Sequence, residues 1–219
     1  ATGTGFIYEF ENYYFLITNG HNVTGMNPDT GEKISNHGGF PTIIKTKARM
    51  TPKSETNSLV TNFFEIKLYS DDSYLNPTWY IHPNKGYKID VIAIPIEKKE
   101  NISEIVKLFP INKIDFDSQF YPEVSDDAFI LGYPFDITGG KELPIWKRAT
   151  IATETGIDLD DLPKILVDTS TRSGMSGSPV IYQRSGFHAS PDGNKNKDMI
   201  GRIRGFLGIY SGRIGVEDN

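Results

Sequence analysis

Three short segments carry residue types that act together in nucleophilic catalysis. "SGMSGSPV" holds Ser176 between glycines, just ahead of an apolar run. "FLITNGHNV" leads from an apolar strand into a short polar turn bearing His21, and "KIDVIAIPI" sets Asp90 at the mouth of a strongly apolar strand. A serine hydroxyl is a poor nucleophile until a base takes its proton, and an imidazole serves best when a carboxylate facing its second ring nitrogen holds one tautomer. Attack on a carbonyl creates an oxyanion that needs N–H donors. Gly174 lets the backbone turn its N–H outward, where a Cβ would resist, and the N–H of Ser176 can supply a second donor. Each piece alone has an ordinary reading: a surface or core histidine, a turn aspartate, a Gly-Ser linker. The combination, in the order His, Asp, Ser, points to catalysis. An α/β-hydrolase runs Ser, Asp, His and places its serine in G-x-S-x-G before a helix. Here Gly174-Met175-Ser176-Gly177-Ser178 breaks that motif and precedes a strand.

The elements that must position these residues read as strands. The runs 5–10, 13–18, 42–50, 62–69, 89–96, 127–133, 147–154, 164–169, 178–183 and 203–212 are rich in β-branched and aromatic residues and bounded by Gly, Pro, Asn and Asp. "FEIKLY" alternates as a half-buried strand does, whereas "DVIAIPI" reads as a strand buried on both faces, with Pro95 marking an edge or bulge. Helical signal is confined to "NISEIVKLF" (101–109). There Asn101 caps, Glu104 completes a capping box, and Ile102, Ile105, Val106 and Phe109 share a face. Many strands and little helix predict an all-β sandwich or barrels. The interruption near 98–126 suggests two halves, 1–105 with His21 and Asp90 and 106–219 with Ser176, together one catalytic domain.

Composition narrows the class. With 37% hydrophobic and 23% charged residues, the 219-residue chain suits a folded globular protein. The net charge of −5 provides no basic footprint for nucleic acid. No apolar run reaches the roughly 18 residues of a membrane span, so neither nucleic acid nor membrane is expected as a partner. The chain has no cysteine, which removes disulfides, zinc-thiolate sites and a cysteine nucleophile, and no cofactor or metal is expected. Cysteine-free chains fit a reducing cytoplasm, and bacterial secreted enzymes share the trait. "ATGTGFIYEF" lacks the basic and apolar regions of a signal peptide. "EKKE" (97–100) and "GNKNKD" (193–198) read as solvated loops.

"LITNGHNV" resembles the histidine segment of the trypsin-like (chymotrypsin-fold) serine proteases, and "GMSGSPV" their nucleophile segment. "IHPNKGYKIDVIAIPI" is similar to the stretch that carries a noncatalytic His-Pro ahead of the catalytic aspartate. The resemblance extends from "GTGF" to "GFLGIYSG" and is nearest to cysteine-free bacterial members, the high-temperature-requirement proteases and glutamyl endopeptidases. It implies two six-stranded antiparallel β-barrels with the site in the cleft between them. His21 would be the general base, Asp90 its orienter, Ser176 the nucleophile, and Gly174 and Ser176 the oxyanion donors. It also implies a protein or peptide substrate cleaved through an acyl-enzyme. A catalytically silent peptide-binding module and an esterase are the alternatives.

By the same resemblance Ser170, Thr171, Tyr210, Ser211 and Gly212 would line the substrate pocket. Ser170 stands where trypsins carry an aspartate, so a Lys or Arg preference is not implied. Thr171 matches a threonine of the glutamyl endopeptidases, but Tyr210 replaces their histidine. Arg172 and Arg213 are placed either to attract an acidic side chain or simply at the surface, and Ser211 would bond Asp90. Met175 occupies the position at which zymogen-type relatives carry an aspartate, so activation by a freed N-terminus is not expected. His82 falls on the noncatalytic His-Pro position and is expected to be structural; His37 and His188 are expected at the surface. A regulatory partner or fused domain is left open.

Overall fold

Alternation of apolar and polar side chains with period two is what allows a strand to bury one face, and burial alternates in this way along 13–18, 127–132 and 145–151. The computed structural model describes residues 2–34, 41–52, 60–98, 101, 106–117 and 119–213. The expected His37 and residues 102–105 of the expected helix lie outside them. Among the described residues the chain forms twelve strands, one four-residue α-helix and four 3-10 turns, and it divides into two compact units, Ala1–Ile114 and Asp115–Asn219.

In the first unit β1 (Phe6–Phe10) and β2 (Tyr13–Thr18) form a hairpin, followed by the helix α1 (His21–Thr24). Strands β3 (Ile43–Pro52) and β4 (Val60–Lys67) form a second hairpin. The short β5 (Tyr80–Ile81) precedes β6 (Ile92–Lys98), and β7 (Val106–Lys107) pairs with the end of β3. The sheets have the orders β1-β2-β6-β5 and β4-β3-β7. Leu16, Val23, Leu68, Trp79, Ile92 and Ile94 form their core, with Ile44 and Ile66 packed against it.

Two local expectations change here. β6 alternates: Ile92 and Ile94 are buried, Ala93 and Pro95 only partly so. Its second face is thus only half covered. Pro95 does fall at an irregularity, where the β2 pairing shifts register between Tyr14 and Phe15. The expected helix does not reach 109, because Val106 and Lys107 pair as strand with Pro52 and Thr51, and Phe109 is half exposed.

The second unit is one antiparallel sheet. Its strands are β8 (Asp127–Gly132), β9 (Ile145–Ile151), β10 (Val167–Asp168), β11 (Pro179–His188) and β12 (Met199–Ile209), in the order β10-β9-β8-β11-β12. Ala128, Ile130, Ala149, Ile151, Met175, Val180, Tyr182 and Tyr210 form its core. The β11–β12 register shifts between Val180 and Ile181, where Leu207 is the extra residue on β12. The all-β class expected from the sequence is the class observed. The six-stranded barrels are not seen as such: among the described residues the sheets have four, three and five strands, and none closes on itself.

Candidate active site

The first unit presents an imidazole fixed to a carboxylate. β2 ends at the buried Thr18, the buried Asn19 and Gly20 follow, and the chain then turns into α1, anchored by the fully buried Val23. Asp90 lies just before β6. His21 Nδ1 stands 2.6 Å from Asp90 Oδ2, and the His21 backbone N–H donates to Asp90 Oδ1 at 3.0 Å. A carboxylate only accepts, so Nδ1 carries the proton and Nε2 of the neutral ring is left as the acceptor. The pair is mostly shielded, with side-chain exposures of 15% and 8%, so water competes little for the bond.

Asn19 fastens the pair from behind. Its Nδ2 donates to the Asp90 backbone carbonyl at 2.6 Å, and the side chain is fully buried. Tyr87 adds a wall: its ring would lie 3.3 Å from a methyl group on Gly20, and its hydroxyl accepts the Trp79 indole N–H at 3.0 Å. The sequence reading passed over Asn19 and Tyr87. A polar residue in a turn carries no sign of burial, and only the fold brings 19 beside 90.

The second unit presents a rigid turn around Ser176. Gly174 has φ of +93°, and a methyl group there would fall 2.6 Å from the Tyr133 carbonyl oxygen. Only glycine fits both the conformation and the space. Met175 is buried in the core, and its N–H donates to the Arg172 carbonyl while its carbonyl accepts from Ser178 N–H. Gly177 N–H donates to the Tyr210 carbonyl at 2.8 Å, and Tyr210 N–H donates to the Ser178 carbonyl at 2.8 Å. Ser176 itself is partly exposed at the crest of this turn.

The expected pocket residues separate into two groups. Ser170, Ser211 and Gly212 are exposed, as are Arg172 and Arg213. Thr171 and Tyr210 are buried, and their hydroxyls lie 2.5 Å apart. Burial pushes the Tyr210 phenol up from its ordinary pKa, against smaller opposing effects of the Thr171 bond and Arg213, so it stays neutral at working pH.

The remaining histidines have other settings. His82 Nδ1 accepts the backbone N–H groups of Lys85 and Asn84 and so holds its own turn. His188 is not at the surface. It is buried at the end of β11, stacks at a tilt on Phe120 and lies 3.3 Å through Nε2 from the Gly201 carbonyl. It turns inward as the last residue of β11, after three exposed residues, Ser185, Gly186 and Phe187. Among the described residues no cluster of His, Cys, Asp or Glu is arranged to hold a metal ion.

A family model for the trypsin-like peptidase domain matches residues 3–187. No curated protein matches the chain. Because the family match spans well over half of the 219 residues, the chain belongs to the trypsin-like peptidase domain family.

Proposed function

We propose that the chain is a serine endopeptidase working through Ser176, His21 and Asp90. Ser176 attacks the peptide carbonyl while His21 Nε2 takes its proton. His21 then gives that proton to the leaving amine, and water attacks the acyl-enzyme by the same route in reverse. The N–H groups of Gly174 and Ser176 receive the oxyanion, and Asp90 holds the ring and stabilises the imidazolium. The observation that carries this reading is the two-point grip of Asp90 on His21, through the ring Nδ1 and the backbone N–H. A merely structural aspartate at a strand start has no need to fix a histidine tautomer. The finer architecture follows the same reading: the sheets of each unit are parts of six-stranded barrels, and the nearest subfamilies are the cysteine-free bacterial ones.

An activity probe tests it. A fluorophosphonate should label the wild-type protein on Ser176, and Ser176→Ala should abolish labelling and lower peptide turnover by roughly 10⁴ to 10⁶. Turnover retained in folded Ser176→Ala, or hydrolysis of esters with no cleavage across a peptide library, would overturn the reading.

A further inference from the structure

No carboxylate stands beside Ser176 to order its turn through a buried ion pair: the residue before it is Met175 and the one after it Gly177. The turn is nevertheless bound at both ends by one residue. Tyr210 donates its N–H to Ser178 and accepts the N–H of Gly177, which fixes the segment just after Ser176. Its phenol reaches back to Thr171, which fixes the segment ahead of it. Met175 fills the space between, packed in the same core as Tyr210. The two hydroxyls are 39 residues apart in sequence and only 2% and 9% of Thr171 and Tyr210 is exposed, so solvent cannot replace either partner.

We propose that the Thr171–Tyr210 hydroxyl pair is a neutral clasp that holds the 171–178 turn in its catalytic shape, so that Thr171 and Tyr210 are positioning residues rather than substrate contacts. The proposal rests on the reading of Ser176 as nucleophile. A hydrogen bond between two neutral groups does not wait for a freed terminus, so the turn is ordered from folding onward. Burial keeps the phenol protonated and the clasp closed across the working pH range. Loss of either hydroxyl leaves the other buried without its partner, and a group in that state costs more than the bond contributed. Because the backbone pair from Tyr210 to Gly177 and Ser178 remains, the strain is relieved most cheaply by local opening of the segment ahead of Ser176, residues 171–175.

Tyr210→Phe keeps the ring and its packing and removes only the hydroxyl; Thr171→Val is nearly isosteric; Thr171→Ser retains a hydroxyl. Each is compared with wild type and with the double variant. The expected result is a fall in kcat of about 10-fold or more with KM little changed, and an equal fall in the fluorophosphonate labelling rate. Backbone amide exchange should rise selectively at 171–175, and Thr171→Ser should recover most of the activity. The double variant should be no worse than the poorer single one, as for two halves of one interaction. Unchanged exchange at the turn would overturn the clasp, and so would an effect confined to KM or to side-chain preference. A general rise in exchange throughout the second unit would overturn it too, as would strict additivity of the two hydroxyl losses. If exchange responds as expected but wild type takes no fluorophosphonate label, the clasp stands and the nucleophile reading falls.

Discussion

At the scale of single residues, Asp90 has two acceptor oxygens and uses both on His21. Asp90→Asn preserves shape but offers an amide where two acceptors are needed. Either the backbone N–H or Nδ1 loses its acceptor, and a ring that accepts at Nδ1 carries its proton on Nε2 and cannot take another. Turnover should drop by about 10⁴ with the fold intact, measured as kcat on a peptide substrate beside a circular dichroism spectrum. A drop below 10-fold would show that the carboxylate does not set the tautomer. His21, Asp90 and Ser176 stood out in the sequence only as a combination, because each alone has an ordinary reading. Asn19 and Tyr87 had no such mark. Their part depends on burial and on a turn-to-turn approach across some seventy residues, as in the Asn19–Asp90 bond. Thr171 and Tyr210 drew notice as pocket walls, yet their mutual bond is a property of the fold alone.

Strands were the most legible elements, because alternation and β-branched residues are recorded locally. The exceptions have tertiary causes. The polar segment after β2 closes into the short α1 because Val23 is drawn into the core, and Val106–Lys107 turns to strand because the end of β3 offers it hydrogen bonds. β12 shows how pairing constrains a residue that looks replaceable. Gly205 sits opposite Tyr182, whose ring crosses the strand so closely that a methyl group on Gly205 would lie 2.2 Å from it. The Tyr182 hydroxyl is itself committed to the Phe120 carbonyl, so the ring cannot swing aside freely. Gly205→Ala should therefore destabilise the protein by about 1–3 kcal/mol despite the higher strand propensity of alanine. Urea unfolding measures the loss. An unchanged or higher midpoint would mean that the ring moves at no cost and that the overlay is not a constraint. Gly205→Ala with Tyr182→Leu should recover part of the loss, since the clash needs both partners.

For the whole molecule, the sequence foretold the all-β class, but not how strands are shared among sheets. Strand partners are chosen by long-range pairing that leaves little local trace. The segment matched by the family ends at residue 187, inside β11, while β12 lies entirely beyond it. The structure makes β12 indispensable. It pairs with β11 from Pro179 to His188, buries Ile203 completely and leads straight into Tyr210, which binds both sides of Ser176. Removing it would leave the long β11 as an unpaired edge and open the Ala128–Tyr210 core to water. Lost burial at about 25 cal/mol per Å² over several apolar side chains is comparable with the entire stability of a small domain. A chain ending at Asp198 should consequently show no cooperative unfolding of the second unit, bind a hydrophobic dye and take no fluorophosphonate label. A sharp urea transition with the same midpoint and slope as the full chain, together with retained labelling, would show that the matched segment suffices and that the Tyr210 attachment of the turn is dispensable.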